Sequence, residues 1–99
     1  MACEIHKNQP SVVFRHRWVD CFGTIINIAG ALVLQVKFEK PSGASMTKVG
    51  VMPGGGIDGI EAYTSIAADL SEAGTWKVQY YTDVTGWGDI FQFTVKDNL

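Results

Sequence analysis

Residues 69–80 read DLSEAGTWKVQY, and this segment is the clearest indication of the fold class in the chain. Leu70 is an apolar residue within a short turn-forming segment, and Gly74 permits backbone angles that other residues resist. From residue 75 onward apolar side chains alternate with polar ones, and the apolar set is Trp76, Val78 and Tyr80. The stretch therefore predicts a tight corner that leads into a half-buried β-strand.

Similar alternation or β-branched enrichment occurs elsewhere along the chain, and turn residues separate the segments. We predict seven strands, at residues 11–19, 24–28, 32–39, 46–52, 59–65, 76–82 and 90–95. No segment longer than one turn has helical periodicity. The pattern predicts an all-β, antiparallel β-sandwich of about seven strands. The expected core is Leu34, Val36, Phe38, Trp76, Val78, Phe91 and Phe93, and Leu32 and Val95 are also expected to point inward.

The composition indicates one folded domain. The chain has 99 residues and a net charge of −2, which gives no electrostatic basis for binding nucleic acid or an anionic membrane. No apolar run is long enough for a membrane span, and the N-terminus lacks a hydrophobic signal core. We expect synthesis in a cytoplasm, an N-terminal arm at residues 1–10 and a folded domain at residues 11–99.

Residue types that carry chemistry are present but poorly arranged. Four possible zinc ligands lie near the N-terminus, namely Cys3, His6, His16 and Cys21, yet their spacing matches no compact zinc module. No Gly-x-Ser-x-Gly elbow or phosphate-binding loop is present. We therefore predict no enzymatic activity and no cofactor, and two free thiols in a reducing compartment.

A few side chains are candidates for contact with a partner. Arg15 and Arg17 share one face of a predicted strand, with Lys48 expected nearby, and arginine suits protein interfaces as well as solvated faces. Trp87 lies in a glycine-flanked loop, where it serves either as a contact residue or as a lid on the core. Tyr81 is expected to point outward. Ile5 is the candidate residue through which the arm adds to a partner's sheet, and the alternative is a disordered leader with no role.

Several motifs occur in the order seen in one protein family. They are Ile28-Ala29-Gly30-Ala31, Lys40-Pro41-Ser42-Gly43, Asp58-Gly59, Tyr63-Thr64 and Asp69-Leu70 through Ala73-Gly74-Thr75-Trp76 to Gln79. The last resembles the corner before strand F of immunoglobulin domains, with Trp76 at the Tyr position and Val78 at the Cys position. Across roughly residues 11–95 the chain resembles the immunoglobulin-like domains of tailed-bacteriophage virion proteins, including those at the head of upper baseplate proteins.

The resemblance implies a structural role rather than a catalytic one. It implies a virion protein that attaches to or decorates the capsid, neck or tail in many copies, with other virion proteins as partners. Because baseplate versions usually continue into a long C-terminal region and this chain ends at Leu99, the resemblance favours a free-standing accessory protein. A carbohydrate-binding module is the alternative, with Trp87, Tyr81 and Tyr63 as a sugar-stacking platform.

Overall fold

The computed structural model describes residues 5–66 and 68–97, and every regular element in these ranges is a β-strand. The strands are β1 (Ile5–His6), β2 (Val13–Arg17), β3 (Leu34–Glu39), β4 (Ser45–Val49), β5 (Ile60–Thr64), β6 (Gly74–Thr82) and β7 (Gly86–Lys96). The described residues contain no helix, so the predicted all-β class is confirmed.

The strands form two sheets of unequal width. The larger sheet has the order β1-β7-β6-β3-β4, and the smaller one pairs β2 with β5. Their inner faces pack against each other, as shown by the rings of Phe14 and Phe38, whose centroids are 5.1 Å apart. Strand β1 runs parallel to β7, with Ile5 beside Val95, so the larger sheet is mixed and the prediction of a purely antiparallel fold is wrong.

The number of strands agrees with the prediction, but two members of the set differ. Residues 24–28 do not form a strand, and Ile25 makes only an isolated bridge with Val19. The main chain there bonds to loops instead, because the Ile28 N–H donates to the Gly56 carbonyl at 2.9 Å. These residues run across one end of the fold, and Ile28 is fully buried there.

The other difference lies within the predicted arm. We expected no strand before residue 11, yet Ile5–His6 forms β1, and the following residues are held to the body of the fold. The Lys7 N–H donates to the Lys96 carbonyl at 2.8 Å, and the Asn8 N–H donates to the Leu70 carbonyl at 2.7 Å. Residues 1–4 of the arm lie outside the described residues.

Most of the predicted core is present. Val36, Phe38, Trp76, Val78 and Val95 are buried, and Leu34 and Phe93 are partly buried against them. The prediction that Leu32 points inward is wrong, because Leu32 lies in a bend before β3 and its side chain is 89% exposed. The prediction that Phe91 is buried in the core is also wrong, because its side chain remains 43% exposed at an open side of the fold. The remaining buried core side chains are Phe14, Trp18, Ile28, Leu70 and Tyr80.

The predicted corner before β6 is present and is closed by a tryptophan. The Trp76 Nε1–H donates to the Glu72 carbonyl oxygen at 2.9 Å while the ring is fully buried. Gly74 has a φ of +128°, and a Cβ there would lie 2.9 Å from Pro41 Cγ. One side chain therefore fixes the corner through its indole N–H and fills the core with its ring.

We expect Trp76→Ala to lower the free energy of unfolding by about 3–5 kcal/mol, because it removes a large ring from a close-packed core. Trp76→Phe retains most of the ring but removes the bond to Glu72, so we expect a loss of about 1–3 kcal/mol. Urea titrations followed by circular dichroism measure both values. A loss below about 1 kcal/mol for the alanine variant would contradict the corner's structural role.

Candidate functional site

Three of the predicted contact residues meet at one place. Arg15 and Arg17 project from the outer face of β2 and are exposed, while Ile5 on β1 is partly buried against the core. All three line a single groove between β2 and β7, with a volume of about 830 Å³. Lys48 is not among the residues that line this groove, and its ammonium lies 3.1 Å from Asp69 Oδ1.

The other two predicted contact residues form a separate pair on the outer face of the larger sheet. Tyr81 and Trp87 are cross-strand partners, with ring centroids 4.9 Å apart and planes tilted by 48°. Trp87 belongs to β7 rather than to a loop, and it is 49% exposed. It therefore lies against a neighbour on the sheet surface instead of covering the core.

Tyr63 does not extend that aromatic pair. Its ring lies 5.9 Å from that of Phe38 on the inner side of the fold, and its hydroxyl donates to the Asp69 carboxylate. Asp69 also accepts the Ile66 N–H at 3.0 Å, which closes the turn after β5. Burial alone would raise the pKa of Asp69, but these hydrogen bonds and the Lys48 ammonium hold it below its ordinary value.

A feature absent from the predictions is an accumulation of exposed apolar side chains at one end of the fold. The loops β2–β3, β4–β5 and β6–β7 meet at this end, since Leu34 pairs with Thr82 and Arg17 pairs with Ile60. We call this end the apolar tip, and define it by the exposed residues Val19, Phe22, Ile25, Leu32, Val33, Val49, Val51, Ile57 and Val84.

Hydrogen bonds hold the three loops of the apolar tip together. The Asp83 carboxylate accepts the N–H groups of Leu32 and Val33 at 3.0 and 3.2 Å, which joins the β6–β7 loop to the β2–β3 loop. The Ile28–Gly56 bond joins the β2–β3 loop to the β4–β5 loop. Gly59 has a φ of +73°, and a Cβ there would lie 2.8 Å from the Ile26 carbonyl. Apart from Val49, which ends β4, the apolar side chains of the tip therefore project from cross-linked loops.

The interior behind the tip holds one buried carboxylate. Glu61 on β5 is fully buried, and its Oε1 accepts the Trp18 Nε1–H at 3.1 Å, whereas its Oε2 has no hydrogen-bond partner among the described residues. Burial raises the pKa of the Glu61 carboxyl from its ordinary value of 4.5 to about 7, and the bond from Trp18 opposes this only in part.

His16 lies directly opposite Glu61 in the β2–β5 ladder and is surrounded by rings. It stacks on Tyr80 at 5.0 Å and meets the edge of Trp18 at 4.7 Å. Burial lowers the pKa of the imidazole, and the nearby Asp89 carboxylate only partly opposes that shift. The histidine is thus a packed aromatic residue of the groove wall.

The described residues provide no metal centre. No group of three or more His, Cys, Asp or Glu side chains within them is arranged to hold an ion. Cys21 is exposed in a turn of the apolar tip's β2–β3 loop and forms no disulfide with a described residue. Cys3 lies outside the described residues, so the prediction of two free thiols stays a prediction.

No protein-family model matches the chain, and no curated protein matches its sequence. Within the described ranges, no helix has the length and apolar character needed to cross a membrane.

Glu61 predicts an unusual pH dependence of stability. Its folded pKa lies above the unfolded value, so the folded state holds a proton that the unfolded chain releases between pH 4.5 and about 7. Stability contributed by this group is complete below pH 4.5 and falls as pH rises to about 7, by about 3 kcal/mol in total.

We expect Glu61→Gln, which stays neutral, to flatten this decline and to be more stable than the parent chain above pH 7. Chemical denaturation at several pH values from 4 to about 8 measures the effect. Glu39→Gln, at an exposed position on β3, is the matched control and should leave the pH profile unchanged. Parallel profiles for Glu61→Gln and the parent would contradict the assignment.

Proposed function

We propose that this chain is a non-enzymatic structural protein of a tailed-bacteriophage virion, which attaches to the capsid, neck or tail through protein–protein contacts. The observation that carries the proposal is the apolar tip, where Phe22 is 90% exposed and Leu32 is 89% exposed. Isolated soluble proteins rarely leave many large apolar side chains exposed together, and such accumulations mark contact surfaces. The class of partner follows from the resemblance to phage virion domains.

We assign the fold, as part of the same proposal, to the immunoglobulin-like sandwiches. The order β7-β6-β3-β4 corresponds to strands G, F, C and C′ of variable-type domains, and the pair β2–β5 corresponds to strands B and E. The bond from Trp76 to the Glu72 carbonyl supports this assignment, because it takes the place of the tyrosine corner at the start of strand F. In such domains the loops at one end are the usual contact surface, which corresponds here to the apolar tip.

The energetics favour attachment in many copies. Full burial of one large apolar side chain contributes about 1.5–3 kcal/mol, so a few residues of the apolar tip supply a substantial part of a specific interface. Weak contacts repeated over a symmetric particle surface reinforce one another when the copies are themselves linked. In this proposal the protein is made in the host cytoplasm and resides in the virion, with no role for nucleic acid, membrane or cofactor.

The alternative is a carbohydrate-binding module, and the specific observation in its favour is the exposed pair formed by Trp87 and Tyr81. With Tyr63 on the inner side of the fold, the platform is reduced to two rings tilted by 48°. A glycan array, followed by titration of tryptophan fluorescence, tests it. A glycan whose binding is lost in Trp87→Ala would favour this alternative.

We expect replacement of tip residues to reduce incorporation into particles without changing the fold. The double variant Phe22→Ser, Leu32→Ser removes two nearly fully exposed apolar side chains, so its unfolding free energy should change by less than about 0.5 kcal/mol. Its abundance in purified particles, measured by quantitative mass spectrometry, should fall at least about tenfold, because each lost contact weakens binding exponentially.

Ile66→Ser is the matched control, because Ile66 is an exposed apolar residue at the opposite end of the fold. We expect it to be incorporated like the parent chain. Absence of the parent chain from purified particles would refute the virion role. Equal incorporation of the double variant and the parent would refute the apolar tip as the attachment surface.

A further inference from the structure

The groove between β2 and β7 has the form of a missing strand position. Its floor consists of inward-facing side chains from both sheets, namely Phe14, Val78, Tyr80, Phe91 and Phe93. Phe91 is directly opposite Val78 in the ladder, yet Val78 is buried while Phe91 is 43% exposed. A core-facing aromatic side chain is therefore left uncovered along the open side of the fold.

One wall of the groove is an open strand edge. The Ser65 N–H donates to the Val12 carbonyl and the Trp18 N–H donates to the Gly59 carbonyl, which fixes the phase of the β2–β5 ladder. Since antiparallel ladders alternate, the main-chain groups of Val13, Arg15 and Arg17 point away from β5. Within the described chain, β2 pairs with no strand other than β5.

The charged residues at the rim of the groove determine which charges on an added strand are favoured. Arg15 and Arg17 are exposed, lie two residues apart on the outer face of β2, and make no ion pair with a described residue. A strand added to this edge places its outward side chains beside them. On β7, Asp89 lies close enough to the lining residue His16 to affect its protonation, so added negative charge is favoured beside the arginines of β2.

We propose that this groove binds an extended segment of a second protein, in which apolar residues alternate with Asp or Glu. The segment pairs with the β2 edge, buries its apolar side chains on Phe91 and the groove floor, and sets its carboxylates against Arg15 and Arg17. Five residues span about 16 Å in a strand, which matches the length of β2. The inference rests on the proposed function only for the source of the segment, another virion protein.

The test uses two blocked peptides, Val-Glu-Val-Glu-Val-Glu-Val and Val-Lys-Val-Lys-Val-Lys-Val, with the full-length chain. We expect the glutamate peptide to bind at least about tenfold more tightly in titration calorimetry. Amide hydrogen exchange followed by NMR reports the binding mode. The glutamate peptide should slow exchange about tenfold or more at Val13, Arg15 and Arg17, whose N–H groups lie at the open edge.

Two variants separate strand pairing from simple charge attraction. Arg15→Pro removes an N–H that faces away from β5, so the fold is retained while the peptide loses a main-chain bond, as proline is tolerated at strand edges. Arg15→Pro should bind the glutamate peptide about tenfold more weakly than Arg15→Ala does. Both variants lack the Arg15 charge, but only the proline variant lacks the N–H. In the double variant Arg15→Glu, Arg17→Glu, preference should reverse toward the lysine peptide.

Several results would overturn the inference. They are no binding of the glutamate peptide at about 1 mM, equal binding of both peptides, and binding that leaves exchange at Val13 and Arg15 unchanged. Concentration-dependent protection of these amides without peptide would assign the groove to a second copy of the chain. Binding seen only after removal of residues 1–4 would assign it to the chain's own N-terminus. Peptide binding in a protein absent from particles would refute the proposed function while leaving the groove assignment intact.

Discussion

A five-stranded sheet packs against a sheet of only two strands, and this difference in width determines much of the remaining structure. Two strands cannot cover the inner face of five, so other parts of the chain complete the core. Ile28 from the β2–β3 loop and Leu70 from the segment before β6 are fully buried for this reason. Where no such segment reaches, beside β7, Phe91 stays exposed and the groove remains open.

The parts that the sequence predicted well are those governed by local periodicity. Period-two alternation places Val36, Phe38, Trp76 and Val78 inside, and the glycine at position 74 marks the corner, because both signals depend only on neighbouring residues. Leu32 and Phe91 follow the same alternation and are nevertheless exposed. Their burial depends on which distant segment covers them, and a local pattern contains no information about that.

The candidate site was predictable only in part for a related reason. Arg15, Arg17 and Ile5 were identified as separate contact residues, but their meeting at one groove depends on the crossing of the chain from β1 to β2. The apolar tip was missed because Phe22 and Ile57 lie in unrelated turns of the sequence. In the sequence, Glu61 is one carboxylate among several. Its burial beside Trp18 depends on how the strands pack, which no local pattern shows.

The parallel pairing of β1 with β7 also determines how the domain responds to mechanical load. Ile5 and Val95 are neighbours in strands that run in the same direction, so tension along the chain pulls the two strands past each other. In that geometry the hydrogen bonds between them, including the bond from Lys7 to the Lys96 carbonyl, share the force instead of opening one after another. Tension applied between Ile5 and Lys96 therefore loads this part of the sheet in shear.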